Sequence, residues 1–530
     1  MKYYKIVLLL FVMLQLSCFD DKSSLPDHPI AEIVIDTTGI PVQHNVYQNG
    51  RLQINPKVSL GNGEHSRLSF RWMLNTIATT TQEARPDYSN YICIGENEVL
   101  DTIIPLRSNE TTYFLWYQVL DNETMVRKDI LWNILVRPAY NEGILIAETY
   151  DGETTDFSLI EGKLFTEAWS EGDKISKNLY SSVNGECYPG LIKQICHSYN
   201  TQTKSKRFYC IGDDFYSLID GVDYQLVGRN YDVVYDYTLD IKPNQVFVIG
   251  NNVVWLNEGK MYPFSRGTKR DYPNIQIPMG YSIQEGDGSE LKTSEVDEFV
   301  AFAHTTSTSI PWGVWYDKQA GRFLCQMNYP YVKKNIELLI SKENAPFDPN
   351  NVPGLKTLYA AVGVNDDFYM IMKNIEKETF HIYVIDRANK TAKYLYDIPG
   401  AAIKDAEYFT VSEDGNVVYF STRTQIYAIV LGGVAPQVNM LYTIPSGEIT
   451  HFSMFRQAWY LLNPQTYVSG VGYKVPIDTH EHLLLVGVWD GQNGCLHTLP
   501  IINPNVGNID LGQIRRFEGF GKILTITSQQ

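Results

Sequence analysis

Residues 409–421 read FTVSEDGNVVYFS, and this stretch decides the fold class. Two apolar runs rich in β-branched and aromatic residues flank Asp414 and Gly415. An Asp-Gly pair between such runs is a strong hairpin signal, because both residues accept the positive φ angles of a tight turn. The stretch therefore predicts two antiparallel strands. We interpret Asp414 as a turn residue, with a catalytic role as the alternative.

The same pattern of short apolar strands and polar turns recurs through residues 141–530. Its turn centres fall near 162, 221, 259, 320, 389, 433 and 492, at a mean spacing of about 55 residues. A loose repeat of this length, with about four strands in each unit, is typical of a β-propeller. We expect about seven blades, although six or eight would fit nearly as well. The last strand, 519–527, is expected to complete a blade with 143–147 and so close the ring.

Residues 30–138 have the period-2 hydrophobicity of half-buried strands. About seven short strands with a Trp near the third favour an immunoglobulin-like β-sandwich, with Trp72 in its core. The whole chain is thus predicted to be all-β, a sandwich followed by a propeller. The alternating apolar positions include Leu52, Ile54, Val58 and Leu60 around Pro56, then Leu68, Phe70 and Leu74, and then Tyr113, Leu115, Tyr117 and Val119.

Residues 1–17 have the pattern of a secretory signal peptide. Lys2 and Lys5 precede an apolar run at 6–14 that is too short to span a bilayer. The run leads into LQLSC at 14–18, which resembles a bacterial lipobox and implies that Cys18 is lipidated. Gln15 occupies a position where the lipobox usually has an aliphatic residue. An ordinary signal peptide cut elsewhere is the alternative.

Residues 18–29 are small, polar and proline-containing, which predicts a flexible tether. Acidic residues close behind the lipidated cysteine resemble a surface-export signal of Gram-negative bacteria with TonB-dependent uptake systems. That resemblance implies a lipid anchor in the outer membrane, with the protein facing the cell exterior. No later segment reaches 18 consecutive apolar residues, so we expect the rest of the chain to be anchored and not to span the membrane.

Composition limits the partners. The chain of 530 residues has a net charge of −16 and is 44% hydrophobic, which argues against wholesale disorder and against nucleic acid as a partner. The six cysteines after Cys18 are widely spaced and are expected to be mostly small buried residues. A single bridge between Cys187 and Cys196 is the alternative.

Motifs of common enzyme families are absent from the sequence, namely the nucleophile elbow, the zinc-protease helix and the P-loop. His480 and His482 would share a face of a strand and so could bind a metal, but we favour a solvated loop before 483–486. Paired acids at 213–214 and 366–367, and an acidic stretch at 285–290, are interpreted as exposed turns and a flexible loop. We assign no catalytic residue, no metal site and no cofactor.

Aromatic residues are the remaining candidates for ligand binding. Their flat rings can stack on sugars, and Trp312, Trp315 and Tyr316 form one of the richest clusters. We name these three as candidate ligand-binding residues, with Trp312 the first to test. The alternative is that they pack between blades.

The SEDG segment at 412–415 resembles the strand-turn-strand of YVTN/TolB-type propeller blades. The order of lipobox, acidic tether, sandwich and NEGILIAE at 141–148 resembles the PKD-like family of surface lipoproteins. The resemblance covers nearly the whole chain as an architecture and implies outer-membrane nutrient uptake. It departs at 73–75, where MLN stands in place of the usual Gly-Asp-Gly turn of PKD domains.

Three functions fit these features. The leading hypothesis is a non-catalytic surface lipoprotein that binds or scaffolds in the uptake of a glycan or peptide, beside a TonB-dependent transporter and its lid lipoprotein. The second is a glycoside hydrolase or lyase with carboxylates around the propeller channel. The third is a purely structural subunit of a transporter complex.

Overall fold

A computed structural model shows a nearly all-β chain that divides into two compact units, Met1–Ala139 and Tyr140–Gln530. The residues that the structure describes are 31–48, 50–61, 64–77, 88–104, 106, 112–137, 139–140, 142–166, 169, 172–200, 205–234, 238–249, 252–265, 280–282, 291–293, 295–303, 310–327, 336–433, 435–458, 467–468, 472–473 and 476–529.

The first unit is a β-sandwich. One face is a five-stranded sheet in the order β2-β9-β8-β5-β6, in which β2 runs parallel to β9 and the other pairs are antiparallel; the second face is formed by the short ladders β1–β4 and β3–β7. The strands are β1 (Ile33–Asp36), β2 (Gln43–Tyr47), β3 (Arg51–Ile54), β4 (Lys57–Leu60), β5 (Leu68–Asn75), β6 (Tyr91–Gly95), β7 (Leu100–Ile103), β8 (Tyr113–Asp121) and β9 (Arg127–Arg137).

The predicted alternation explains the sandwich core. Buried side chains alternate without interruption from Leu52 through Pro56 to Leu60, although β3 pairs with β7 and β4 pairs with β1. Trp72 is fully buried and stacks on Tyr117, with ring centroids 4.1 Å apart. Its indole N–H donates to a backbone carbonyl at 2.7 Å. The prediction of Trp72 as a core residue is confirmed.

Among its described residues, the second unit contains seven antiparallel sheets of three to five strands, which are the blades of a β-propeller, and two separate two-stranded hairpins. Blade 1 contains β10 (Gly143–Thr149), β11 (Thr154–Glu161), β12 (Lys174–Ser176) and β13 (Tyr188–Pro189), and it also receives the last strand of the chain, β42 (Lys522–Gln529). Blade 2 contains β14 (Gln194–Asn200), β15 (Ser205–Ile211), β16 (Tyr216–Asp220) and β17 (Leu226–Arg229). Blade 3 contains β18 (Pro243–Ile249), β19 (Asn252–Asn257) and β20 (Lys260–Ser265), and is followed in sequence by the hairpin β21 (Gly280–Ser282) and β22 (Leu291–Thr293).

Blade 4 contains β23 (Val296–Phe302), β24 (Pro311–Asp317), β25 (Arg322–Met327) and β26 (Ile336–Leu338). Blade 5 contains β27 (Leu355–Val362), β28 (Phe368–Asn374), β29 (Phe380–Asp386) and β30 (Thr391–Asp397). Blade 6 contains β31 (Tyr408–Val411), β32 (Val417–Ser421), β33 (Gln425–Val430) and β34 (Gln437–Thr443). Blade 7 contains β35 (Glu448–Met454), β38 (Leu483–Trp489), β39 (Gly494–Asn503), β40 (Asn508–Ile509) and β41 (Arg515–Phe520), and the hairpin β36 (Tyr467–Val468) and β37 (Gly472–Tyr473) lies between β35 and β38 in sequence.

The ring is closed by its two ends. The last strand, β42, pairs antiparallel with β10, from Gly143 opposite Gln529 to Thr149 opposite Lys522. The inner strands β42, β14, β18, β23, β27, β31 and β35 each pack against the next, and β35 packs against β42. The circuit therefore has no open seam, as the sequence predicts.

Most predicted hairpins are present, and 409–421 forms β31 and β32 as expected. One differs, because residues 163–165 after β11 form a turn and not a second strand. Phe165 is buried and packs against Phe455 and Phe517, so its apolar character serves the core between blades 7 and 1. The partner strand begins later, at Lys174.

Side chains on inner strands join consecutive blades. Gln194 exchanges two hydrogen bonds with the backbone of Val246, and Gln245 does the same with Val300 in the next blade. β18 and β23 are edge strands of their sheets, so the backbone groups on their inner edges have no partner strand within the sheet. The side chain from the preceding blade satisfies them.

The helices among the described residues are short. They comprise 3₁₀ turns at His65–Arg67, Tyr88–Asn90, Asn230–Asp232, Val364–Asp366, Ala402–Asp405 and Leu511–Gln513 and one α-helical turn at Ser181–Asn184. None of the described helices has the length and apolar character needed to cross a membrane. The six cysteines after Cys18, all within the described residues, form no disulfide; Cys210 and Cys325 are buried and Cys93 is exposed.

Candidate functional site

The aromatic residues that the sequence analysis selects lie on β24. Trp312, Trp315 and Tyr316 are 2%, 0% and 1% exposed. The two tryptophans pack in the core between blades 3 and 4, and the tyrosine packs between blades 4 and 5. Rings in these positions have no face open to a sugar. Stacking of a ligand on them stays an untested prediction that would require the blades to separate, so they are not carried into the site below.

Two other candidates cannot be placed. Cys18 and the acidic stretch 285–290 lie outside the described residues. Of the paired acids, Asp213 and Asp214 are exposed in a bend, as expected. Asp367 differs, because it is buried and its carboxylate accepts a hydrogen bond from Lys393 at 2.5 Å.

The segment His480–Glu481–His482 forms a loop before β38, as expected, but it is not solvated throughout. His480 and Glu481 are buried, and only His482 is partly exposed. The Nδ1 atom of His480 accepts the backbone N–H of Gln457 at 2.9 Å, whereas Nε2 of His482 lies 2.8 Å from Asp414 Oδ2. The two imidazoles thus serve different partners. No group of three metal-ligating side chains was found among the described residues.

Glu481 belongs to an ionic cluster, which we call the Arg456 cluster and define as Glu413, Arg456 and Glu481. Glu481 is buried, whereas Arg456 and Glu413 are partly buried. The Nε–H of Arg456 donates to Glu481 Oε1, and the same nitrogen lies 3.2 Å from Glu413 Oε1. The second oxygen of Glu481 accepts the backbone N–H of Glu413 at 3.0 Å. The guanidinium also donates to the carbonyl of Val411 at 2.8 Å. One arginine therefore connects the turn of blade 6 to the loops that flank β35 and β38 in blade 7.

Local structure places Glu413 and Arg456 just after the inner strands β31 and β35, and Glu481 just before β38, the second strand of blade 7. Glu413 begins the tight turn after β31, in which the Ser412 hydroxyl accepts two backbone N–H groups. Arg456 follows β35. Glu481 has a positive φ of 60°, and its N–H donates to the carbonyl of Phe455 at 3.0 Å. The left-handed conformation turns its side chain inward at the cost of some backbone strain.

Burial and charge act against each other in this cluster. Burial raises the pKa of Glu481, and the adjacent Arg456 partly offsets that effect. Burial alone would lower the pKa of Arg456, but Glu481 and Glu413 overcome it and the pKa rises. For His482, partial burial lowers the pKa, and hydrogen bonds to the Asp478 carbonyl and to Asp414 more than compensate. The arginine is therefore held in its charged form.

The sequence contains a signal for this cluster, although none of its three members was predicted as a site residue. Arg456 lies in the segment FRQAWY at 455–460, whose aromatic residues suggest a hydrophobic core or a stacking site and not an ion pair. An arginine directly after an apolar inner strand, together with a glutamate at the start of an Asp-Gly turn, indicates buried charges that need partners. What the sequence could not provide is the pairing of positions 25 and 43 residues apart, since this depends on the order of blades around the ring.

No protein-family model and no curated protein matches the chain. Solved structures with a similar fold include a quinonprotein alcohol dehydrogenase-like protein from Bacteroides thetaiotaomicron, with 10% identity, a TM-score of 0.41 and coverage of 92% of this chain and 95% of that chain. The Cps50 β-propeller domain from Myceliophthora thermophila has 9% identity, a TM-score of 0.35 and coverage of 62% and 87%. The WD40 domain of SCAP from fission yeast has 9% identity, a TM-score of 0.34 and coverage of 64% and 74%. At these values the likenesses carry no argument about activity, and the assignment of a β-propeller rests on the strand pairing.

Proposed function

We propose that this chain is a non-catalytic surface lipoprotein of the PKD-like type, anchored in the outer membrane through Cys18 and facing the cell exterior. Its propeller binds or scaffolds a component of a nutrient uptake system that handles a glycan or a peptide. A TonB-dependent transporter and its lid lipoprotein are the proposed partners. The sandwich acts as a spacer between the tether and the propeller.

The observation that best supports a scaffold is the state of the charges in the Arg456 cluster. Both carboxylates of the Arg456 cluster are held by one guanidinium, and Glu481 also accepts a backbone N–H. The guanidinium between the two carboxylates offsets the cost of taking them out of water, so its loss would leave uncompensated charge at the junction of two blades. The propeller is thus a rigid frame whose loops are available for recognition.

Lipidation and location are tested with the full chain in a Gram-negative host. Metabolic labelling with an alkyne fatty acid is expected to mark the wild type and not Cys18→Ala. Cys93→Ala, which removes an exposed cysteine, is the matched control and keeps the label. Protease added to intact cells should degrade the wild-type protein. An unlabelled wild type that resists the protease would disprove the proposed location.

Ligand class is tested by a thermal-shift screen of the full-length Cys18→Ala protein against glycans, peptides and divalent metals. A ligand at a hundredfold excess over its Kd should stabilise the folded protein by about 2.7 kcal/mol. A shift with one class of glycan or peptide supports a binding role. No shift with any of them favours the purely structural subunit, and co-purification with a transporter then tests that alternative.

A second candidate function is glycoside cleavage by the Arg456 cluster. The observation that favours it is the raised pKa of the buried Glu481 beside a second carboxylate, a combination that suits a general acid. Release of soluble sugars from a polysaccharide panel should then be abolished in Glu481→Gln and retained in Glu376→Gln, a change of an exposed glutamate. Equal activity in both variants, or none in the wild type, removes this candidate.

A further inference from the structure

Two grooves meet at the outer part of the seam between blades 6 and 7. The first has a volume of 680 Å³, and its apolar lining residues include Met440, Leu441, Leu511 and Ile514. The second has a volume of 590 Å³ and is mostly polar, with Asp490, Asn493 and Glu518 among its lining residues. Arg516 lines both grooves and so marks the point where their character changes.

The apolar groove lies over a core that is left partly uncovered. Buried residues of blades 6 and 7 form one hydrophobic cluster, and Leu441 and Ile514 pack against its outer side. Beyond them, Met440 is 55% exposed and Leu511 is 62% exposed. Exposed apolar side chains at the rim of a concave surface are typical of a binding site.

The strand beside this groove has an unpaired edge. β34 (Gln437–Thr443) is the last strand of its sheet and pairs only with β33 among the described strands. Its other edge therefore presents backbone N–H and C=O groups, which an extended peptide can pair with by adding as a further strand. A glycan cannot reproduce that ladder, so the edge favours a peptide as the occupant.

Arg516 supplies the charge. It is exposed on β41, and its side chain has no ion pair or hydrogen bond within the described part of the chain. Arg515, the preceding residue, differs because it is paired with Asp173. An arginine without an intramolecular ion pair can bind the carboxylate of a ligand through two parallel hydrogen bonds. The space continues past Arg516 into the polar groove, so the carboxylate that fits best belongs to a side chain within the peptide and not to its C-terminus.

We infer that the seam between blades 6 and 7 binds an extended peptide. The peptide adds to the edge of β34, places an apolar side chain over Met440 and Leu511, and places an acidic side chain at Arg516. Its following residues enter the polar groove, where Asp490 and Glu518 favour a polar or basic residue. This inference rests on the proposed function and narrows its ligand from a glycan or peptide to a peptide.

The test is fluorescence polarisation with the full-length Cys18→Ala protein. The probe is an amidated, fluorescein-labelled nine-residue peptide in which valine and threonine alternate before a single glutamate. A matched probe carries glutamine in place of the glutamate and should bind about tenfold more weakly, the loss expected for one charge-assisted contact. N-methylation of alternate backbone amides should abolish binding, because it removes the strand ladder.

Variants locate the site. Arg516→Gln should bind both probes equally, and Arg515→Gln should keep the tenfold preference. Met440→Glu should weaken both probes. The inference is overturned if neither probe binds the wild type, or if both bind it equally. It is also overturned if the preference for glutamate survives in Arg516→Gln, or if maltoheptaose displaces the probe. Fatty-acid labelling and protease exposure are measured separately, so the proposed surface role can fail or stand independently of this result.

Discussion

The carboxylate of Glu148 accepts a hydrogen bond of 2.5 Å from the backbone N–H of Gly521, a residue 373 positions later in the chain. Glu148 lies on β10, and Gly521 immediately precedes β42. The other oxygen of Glu148 accepts the hydroxyl of Ser158 at 2.5 Å. A single buried carboxylate therefore holds the point at which the last strand enters the first blade.

Replacing Glu148 with Gln should destabilise the propeller by about 2 kcal/mol, because one of the two buried donors then faces an amide N–H₂ and not an oxygen. The measurement is the midpoint of urea unfolding. Glu153→Gln changes an exposed acid after the same strand and should leave the midpoint unchanged. If both variants unfold with the wild type, the carboxylate is not needed for closure.

The fold could be predicted to this extent because its signals are local. The alternation around Pro56 is contained in ten consecutive residues and the Asp-Gly turn at 414–415 in one hairpin, and each is present in the structure. The Arg456 cluster could not be predicted because its members come together only after three separate chain segments have been arranged by the ring. The burial of the aromatic cluster at 312–316 could not be predicted from local pattern either, because the same residue types occur in cores and in binding sites.

Trp312→Ala should lower the stability of the propeller by about 3–5 kcal/mol, because it leaves a cavity between blades 3 and 4. Thermal unfolding measures this loss. Tyr394→Ala, which removes an aromatic ring that is 48% exposed on blade 5, is the control and should cost far less. A Trp312→Ala protein that keeps its melting temperature but loses affinity for a ligand would support the prediction that Trp312 is a binding residue.

Arg456→Met should destabilise the propeller by about 3–5 kcal/mol, because two carboxylates would remain near each other without their cation. Arg423→Met is the comparison, since its ion pair with Glu448 is largely exposed and should contribute less than about 1 kcal/mol.

Adding Glu481→Gln to Arg456→Met should recover part of the loss, because the buried charge is then neutral. Urea unfolding of the four members of this double-mutant cycle gives the coupling energy directly. Additive losses would show that the arginine and Glu481 act independently, in contradiction to the geometry.

Acid should weaken the propeller through His497. Burial, and secondarily the charge of Arg516, lowers the pKa of this imidazole to about 4, against an ordinary value of about 6.5 in the unfolded chain. The neutral form is favoured in the folded state, so the contribution of His497 is fully present above about pH 6.5 and is lost as the pH falls towards 4. The loss can reach about 3 kcal/mol, which urea unfolding between pH 7 and pH 4 would measure.

Two variants separate His497 from other acid-sensitive groups. His497→Gln keeps an acceptor for the Tyr442 hydroxyl, which lies 3.3 Å from Nδ1, and should reduce the loss of stability between pH 6.5 and 4. The remaining loss includes that of His451, whose pKa burial also lowers to about 4. Arg516→Gln removes a positive charge that disfavours the imidazolium, so the pKa of His497 should rise and the acid loss should shrink. Proton NMR of the His497 ring reports that pKa directly. A ring that titrates near 6.5 in the wild type would mean that the imidazole is hydrated, and that the polar groove beside it reaches further into blade 7 than its packing implies.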